Sequence, residues 1–193
     1  MKKLTLVAAV MVLVMAMSFS ASAQGKMYLN IGGDALLPLG SFSDAASIGF
    51  GGTVRFEYAV MPALNLTFTS GYLMWTGKEI NGVDGPNYSG IPILVGAKYY
   101  FMPAAKAKAR MYGAAELGLM IFGVGSKTYT IGGYTFESES ASSTEFALAP
   151  TVGVEFPISD AGVLDISAKY LLIASEGSAG NIGFRLGYKF PLN

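Results

Sequence analysis

The sequence predicts an all-β fold, an eight-stranded antiparallel up-and-down transmembrane β-barrel. Eight segments alternate apolar and polar residues, as a β-strand with one apolar and one polar face does. The apolar face of all eight segments lacks any charged residue, which indicates a surrounding medium that rejects charge. The connections alternate between compact turns and longer loops, as they do in barrels that span a membrane.

The first 23 residues are predicted to be a cleaved export signal. Lys2 and Lys3 precede an apolar run over 4–17, and residues 21–23 form the small-residue cleavage site Ala-Ser-Ala. An uncleaved anchor helix is the alternative, but the apolar run is short for a membrane span. The mature chain, 24–193, is then expected to be one barrel domain.

The composition excludes several classes of function. Without Lys2 and Lys3 the chain has 11 basic and 13 acidic residues, so no positive excess favours nucleic acid. Cysteine is absent, so the exported chain has no disulfides and no lipid-anchoring cysteine after the signal. Charged residues make up only 13% of the chain, which is low for a protein whose whole exterior meets water.

The eight predicted strands have about the length that a tilted strand needs to cross a bilayer. They are 27–35, 48–58, 64–74, 91–101, 110–121, 145–156, 164–172 and 182–190. In chain order, their apolar faces include Leu29 and Ile31, Phe50 and Val54, Leu66 and Phe68, Ile93 and Val95, Leu117 and Leu119, Leu148 and Val152, Ile166 and Tyr170, and Phe184 and Leu186.

The connections between these strands set the orientation of the barrel. Turns with Pro or Gly are predicted at 61–63, 103–109 and 157–162. Longer loops rich in Gly, Ser and Asn are predicted at 37–47, 75–90 and 122–144, and the connection at 175–180 is short. We expect the turns to face the periplasm.

The apolar face is predicted to point outward, toward outer-membrane lipid. A soluble eight-stranded barrel of the lipocalin kind would instead turn its large apolar side chains inward, where an eight-stranded interior has little room. The polar face is rich in Gly, Ala, Ser and Thr, which suit a crowded interior. Aromatic residues such as Tyr99 and Tyr188 near the turns, and Phe50 and Tyr170 near the loops, are typical of the two membrane interfaces.

Three segments resemble the small outer-membrane protein β-barrel family that includes the OmpA, OmpX and OmpW types. They are IPILVGAKYYF at 91–101, MYGAAELGL at 111–119 and GFRLGYKF at 183–190. The resemblance covers the mature chain and implies location in the outer membrane and insertion by the barrel-assembly machinery. It also implies a C-terminal assembly signal, whose spacing Arg185, Gly187, Phe190 and Leu192 match.

Pro150 departs from a regular strand pattern, because it lies within the predicted strand 145–156 and lacks a backbone donor. A β-bulge or a late strand start is therefore expected at this position.

Histidine is absent, and this bears directly on catalysis. The resemblance implies that an outer-membrane barrel enzyme would use a His base, so Ser–His chemistry is excluded. Zinc and haem ligation by His or Cys is excluded as well, and we expect no cofactor and no metal. A carboxylate pair, Glu116 with Glu155 or Glu145, is the remaining catalytic alternative.

The inward face carries charges of both signs, and these are expected to pair, since an unpaired buried charge is costly. The predicted network consists of Arg55, Glu57, Lys98, Glu116, Glu155, Asp165, Lys169 and Arg185, and it is favoured over a catalytic dyad. Asp34, Arg110, Glu145 and Lys189 lie on the same face.

The longest loop, 122–144, contains two β-prone runs on either side of Gly132-Gly133, a dipeptide suited to a two-residue turn. A protruding hairpin is predicted that presents Tyr129, Tyr134 and Phe136 to an extracellular partner, for instance by taking up an added strand. A loop without regular structure is the alternative.

Two functions follow from these observations. The first is a non-enzymatic outer-membrane barrel with a structural or surface-interaction role and a largely plugged polar lumen. The second is a small porin-like diffusion channel for ions or small apolar solutes, which the OmpW resemblance would allow.

Overall fold

The computed structural model describes residues 25–80, 83–101, 109–131, 134–159, 162–174 and 179–192. The predicted export signal, 1–23, lies outside these residues. Twelve strands and one short helix are present in them. They are β1 (Met27–Leu39), α1 (Ser41–Ala45), β2 (Ala46–Met61), β3 (Leu64–Gly77), β4 (Glu79–Ile80), β5 (Val83–Asp84), β6 (Tyr88–Tyr100), β7 (Arg110–Val124), β8 (Lys127–Ile131), β9 (Tyr134–Ser138), β10 (Ala141–Ser159), β11 (Gly162–Ala174) and β12 (Ala179–Pro191).

Eight of the strands close into a barrel in the order β1-β12-β11-β10-β7-β6-β3-β2. Every neighbouring pair is antiparallel. The first and last strands complete the ring, paired from Tyr28↔Pro191 to Leu39↔Gly180. This confirms the predicted eight-stranded up-and-down barrel.

The two faces of each barrel strand separate as the alternation predicts. Large apolar side chains lie on the outside, where Phe50 and Val152 are each 63% exposed. Charged side chains on the opposite parity, such as Glu57 and Lys98, are buried inside. Because the exposed face is apolar and uncharged, it suits lipid.

Pro150 does not interrupt β10, so the expected bulge or late strand start is wrong. Pro150 pairs with Ala115 of β7 in an unbroken register. On the β11 side the paired residues pass from Leu148 to Thr151 without a change of register. The missing proline donor therefore weakens the ladder locally toward one neighbour and leaves the strand alignment intact.

The connections contain more regular structure than the sequence indicates. The loop after β1 forms α1, which follows Gly40 at a φ of 61°, in the left-handed region that glycine adopts readily. β4 pairs with β5 in the next loop. The predicted turn at 157–162 is shorter, because β10 continues to Ser159 with a register shift after Pro157.

The hairpin predicted in the longest loop is present. β8 pairs with β9 from Lys127↔Ser138 to Ile131↔Tyr134. The two strands form a separate two-stranded sheet, which keeps the register of β7 and β10 after an interruption at 125–126 and 139–140. Its predicted tip, Gly132-Gly133, lies outside the described residues.

No helix in the described part of the chain is long and apolar enough to cross a membrane.

Candidate functional site in the barrel lumen

The buried side chains of the lumen form two layers along the barrel axis. The turn end of the barrel carries the chain termini and the turns that follow β2, β6 and β10, and the loop end carries the other connections. The half toward the turn end is charged and is called the polar layer. Its ions are Asp34, Arg55, Glu57, Lys98, Glu116, Glu155, Asp165, Lys169, Arg185 and Lys189.

The half toward the loop end is the apolar layer, which is formed by uncharged buried residues. It consists of Leu36, Phe42, Ala46, Leu73, Trp75, Leu94, Met120, Ala147, Ala149, Leu171 and Ile173, with Tyr88 and Phe122 packed against it.

Lys98 is the centre of the polar layer. Its Nζ lies 2.8 Å from Glu57 Oε1, 2.5 Å from Glu155 Oε1 and 3.3 Å from Asp165 Oδ2. Lys189 Nζ reaches the same Glu155 oxygen at 2.6 Å and lies 3.5 Å from Glu57 Oε2. Two lysines thus contact three carboxylates within one hydrogen-bonded cluster, and the remaining negative charge is approached by Arg185, 3.9 Å from Asp165.

Two tyrosines close this cluster. Tyr100 donates its hydroxyl proton to Glu155 at 3.0 Å and accepts a hydrogen bond from Lys189 Nζ at 2.9 Å. Tyr112 donates to Asp165 Oδ1 at 2.6 Å, and its ring lies 3.9 Å from Lys98 Nζ. The buried charges therefore have polar and aromatic partners as well as counter-ions.

Arg185 connects the cluster to Lys169 through polar groups. Its guanidinium donates to Asn30 Oδ1 at 2.9 Å and to Thr53 Oγ1 at 2.9 Å. Thr53 in turn donates to Asp34 Oδ2 at 2.6 Å, and Lys169 Nζ donates to Asp34 Oδ1 at 2.6 Å. The Arg185 side chain itself approaches Asp34 and Asp165 only to 3.9 Å.

Arg55 and Glu116 form a further ion pair of the polar layer. Arg55 Nη2 lies 3.0 Å from Glu116 Oε2, and Arg55 Nε donates to Thr69 Oγ1 at 3.1 Å. Thr69 donates to Glu116 Oε1 at 2.7 Å, so both carboxylate oxygens have a donor.

All eight residues of the network expected from the sequence lie in the polar layer. Each charge of that set has an oppositely charged partner, and the partners of Arg185 are Asp34 and Asp165. Asp34 and Lys189 complete it, which gives five positive and five negative side chains.

The carboxylate pair considered for catalysis is divided between two environments. Glu116 binds Arg55 and Thr69, whereas Glu155 binds Lys98, Lys189 and Tyr100. Glu145, the other candidate, lies on β10 nearer the loop end, opposite Met120 of β7.

One group of carboxylates has the geometry of a metal site. Oxygens of Glu57, Glu155 and Asp165 lie within 4.8 Å of one another and all three residues are buried. The ammonium of Lys98 lies within hydrogen-bond distance of each of them. It therefore takes the place and the charge that a cation would have there.

The apolar layer is built around Trp75, whose indole needs space that glycines provide. A Cβ at Gly49 would lie 2.4 Å from the indole, and one at Gly90 would lie 3.2 Å from its benzene ring. Trp75 Nε1 donates to Asn181 Oδ1 at 3.1 Å, so the buried indole donor is satisfied.

Phe42 enters the apolar layer from α1, above the barrel wall. Its ring centroid lies 5.7 Å from Trp75, 5.3 Å from Tyr88 and 5.8 Å from Phe122. These rings meet edge to face, the arrangement that aromatic quadrupoles favour.

The sequence analysis predicts a largely polar lumen and does not predict the apolar layer. The signal was present, since the loop-end positions of that face are apolar in strand after strand, for example Leu73, Leu94, Met120 and Leu171. Reading alternate strands in opposite directions, as antiparallel order requires, would have aligned these positions at one end.

The residues of the predicted assembly signal lie on β12 and just after it. Arg185 and Gly187 face the lumen, and a Cβ at Gly187 would approach an Arg185 nitrogen to 2.4 Å. Leu192 lies outside and is exposed. Of the predicted surface residues, Tyr129 is on β8, and Tyr134 and Phe136 are on β9.

Known structures with similar folds are small outer-membrane barrels. Neisserial surface protein A superposes with a TM-score of 0.60 at 17% identity, over 85% of this chain and 96% of that one. The protein OprG of Pseudomonas aeruginosa gives 0.57 at 10% identity, over 87% and 96%. Ail of Yersinia pestis, in complex with the heparin analogue sucrose octasulfate, gives 0.54 at 14% identity, over 87% and 100%.

No curated protein shows significant sequence similarity to this chain. The family model for the outer membrane protein beta-barrel domain matches residues 6–190, almost the whole sequence. Together with the closed ring of eight antiparallel strands and its apolar exterior, this match places the chain in the outer membrane. The chain belongs to the outer membrane protein beta-barrel domain family.

Proposed function

We propose that this protein is a non-enzymatic, non-conducting outer-membrane barrel that acts as a structural element and through its loops at the cell surface. The observation that carries the proposal is the burial of both lumen layers. The largest fully buried side chains include Trp75 in the apolar layer and Arg55, Tyr112 and Lys98 in the polar layer.

The two layers oppose ion flow for different reasons. In the polar layer every ion already has a counter-ion, so a passing ion would have to compete with contacts such as Lys98 to Glu57 at 2.8 Å. In the apolar layer no charged side chain replaces the hydration shell of an ion. An ion crossing the barrel would have to displace both layers in turn.

The proposal of a non-enzymatic role rests on the hydrogen bonds and ion pairs that the buried carboxylates already make. A general acid or base needs a proton that it can exchange with a substrate. Glu116 and Glu155 are both buried and hydrogen-bonded to cations of the lumen. Their arrangement matches a structural network better than a catalytic dyad.

We further propose that the chain is exported after cleavage before residue 24 and inserted by the barrel-assembly machinery. The export signal is supported by the 1–23 pattern. The assembly signal is supported by Arg185, Gly187, Phe190 and Leu192, which keep the expected spacing along β12 and the residue after it.

Surface interaction is assigned to the loop 122–144, where β8 and β9 form a two-stranded sheet. Within the described residues each strand pairs only with the other, so both outer edges offer backbone groups to an added strand of a partner.

The charge of the loops argues for a partner that is not a polyanion. The segments 37–47, 75–90, 122–144 and 175–180 together contain six acidic residues and two basic ones. A sulfated ligand such as the one bound to Ail would meet net negative charge on this chain. We therefore favour a neutral or basic protein segment as the partner.

Planar-bilayer recording tests the proposal of a non-conducting lumen. Purified wild-type protein is expected to give no steady single-channel current at any applied voltage. The matched control is the triple variant Trp75→Ala, Arg55→Ala and Glu116→Ala, which removes the largest apolar side chain and one complete ion pair. This variant is expected to conduct in discrete steps.

Steady wild-type current that persists across voltage would contradict the proposal and support the diffusion channel. Current carried only by the triple variant would support the non-conducting lumen. The same insertion procedure would then have been shown to detect an open lumen.

A further inference from the structure

The loop end of the lumen is a built apolar site that one loop side chain fills. The site is made by barrel strands, with Trp75 of β3 at its centre. Phe42 comes from α1 instead, yet it is only 8% exposed, because its ring inserts between Trp75, Tyr88 and Phe122.

The helix that carries Phe42 depends on its contacts with the rest of the chain. A five-residue helix is too short to be stable alone. Its described contacts include two hydrogen bonds from Lys78, the residue after β3: the backbone amide to Ala45 O at 2.9 Å and Nζ to Ser43 O at 2.6 Å. On the other side it follows Gly40, whose φ of 61° lies in the left-handed region that glycine adopts readily.

Asn181 adds a polar group to this apolar site. It is fully buried, and its orientation is fixed because the Trp75 indole can only donate, so Oδ1 must face it. The amide nitrogen Nδ2 then has no hydrogen-bond partner within the described residues. A buried donor without an acceptor is costly, so a ligand that supplied an acceptor would remove that cost.

We propose that this site binds one small aromatic molecule that carries an oxygen acceptor, and that Phe42 occupies the ring position in its absence. The ligand ring would replace the phenyl ring of Phe42 against Trp75, and its oxygen would accept from Asn181 Nδ2. The size of the ligand is set by the single ring that it displaces. Binding requires α1 to move away, but it does not require a conducting lumen.

Trp75 is the only tryptophan of the chain, so its fluorescence reports on the site directly. Acetophenone, a single ring with a ketone oxygen, is titrated into the folded full-length protein in detergent, and quenching of Trp75 gives Kd. Ethylbenzene has the same ring and chain without the oxygen, and it is measured by competition.

Phe42→Ala removes the competing ring and is expected to lower the Kd of acetophenone roughly tenfold relative to wild type. In that variant acetophenone is expected to bind roughly fivefold more tightly than ethylbenzene, as one additional hydrogen bond allows. Partition of acetophenone into detergent is the same for wild type and for Phe42→Ala, so it cancels when their Kd values are compared.

Asn181→Asp is the control for the polar contact, since it keeps an oxygen for the Trp75 indole but loses the donor. It is combined with Phe42→Ala and is expected to abolish the preference for acetophenone over ethylbenzene. Phe42→Leu serves in place of Phe42→Ala if the latter fails to fold, with the same expected direction.

Equal Kd values in wild type and in the folded Phe42 variants would overturn the proposal. Equal affinity for the two probes in Phe42→Ala would overturn the role of Asn181. Neither result depends on the bilayer recordings, so failure of this site and failure of the proposed function can be distinguished.

Discussion

The two layers of the lumen are formed by the same barrel strands and are held together by different interactions. In the polar layer, Lys98 lies against three carboxylates and each contact depends on a particular partner. In the apolar layer, Trp75, Leu73 and their neighbours are held by shape and by the space that Gly49 and Gly90 leave. Both layers consist mainly of the inward-facing residues of strands in which inward and outward positions alternate.

The difference predicts different responses to substitution. Removing one member of a buried ion group leaves the others uncompensated, and a second substitution can repair the damage. Removing apolar volume leaves a cavity that no change of charge can repair. Single substitutions in each layer therefore test this difference.

Lys98→Met is expected to give the largest loss of stability. It leaves Glu57, Glu155 and Asp165 with too few cations in a closed space, which should lower the free energy of unfolding by about 4 kcal/mol. The measurement is urea unfolding of the refolded protein in detergent, followed by Trp75 fluorescence. Lys26→Met, at an exposed position before β1, is the control and should change little.

Partial rescue sharpens this prediction. Adding Glu57→Gln and Glu155→Gln to Lys98→Met neutralises two of the carboxylates that the lysine served, and stability should recover by a measurable part of the loss. A single variant as stable as wild type, or a triple variant less stable than the single one, would show that the charges are not coupled.

Leu73→Ala should have the next largest effect. Leu73 is fully buried in the apolar layer, and its truncation is expected to cost about 3 kcal/mol through lost burial and the cavity that remains. Phe68→Ala is the matched control, since Phe68 lies on the same strand but faces outward. Urea unfolding midpoints of the two variants give the comparison, and a larger loss for Phe68→Ala would contradict the assignment of the layers.

The barrel itself was predictable because the alternation of apolar and polar residues along each strand indicates directly which face meets lipid. The predicted strands lie within the observed barrel strands except at Phe101, just beyond β6, and the wall needed no information beyond alternation and connection length. The polar layer was also predictable, since charges such as Arg55 and Glu116 lie on the inward parity and must pair when buried.

The apolar layer and α1 do not follow from the alternation within single strands. Parity assigns a face but gives no depth along the barrel, so Leu94 and Lys98 of one strand were treated alike. Phe42 lies in a segment without periodicity, and its burial depends on rings from three other elements. Pro150 was misread because a single missing donor does not outweigh the many pairs that keep β10 in register.

The smallest expected effect concerns the hairpin β8–β9, which stands outside the comparison of the two layers. Deleting 128–136 should leave the barrel folded, because Val124 already pairs with Ala141 and the shortened connection closes between adjacent residues. The free energy of unfolding should change by less than about 0.5 kcal/mol. Urea unfolding and the heat-dependent shift of the folded band in gel electrophoresis measure this.

A deletion of the same length inside the barrel provides the control. Removing 147–155 takes the centre out of β10, including Glu155, and should prevent folding because the ring can no longer close. If deleting 128–136 has the same consequence, the hairpin is part of the wall and cannot serve as a separate surface element. If the barrel is unaffected, the hairpin is separable from the wall. Binding assays with the intact and the shortened protein then measure the contribution of the hairpin to partner binding.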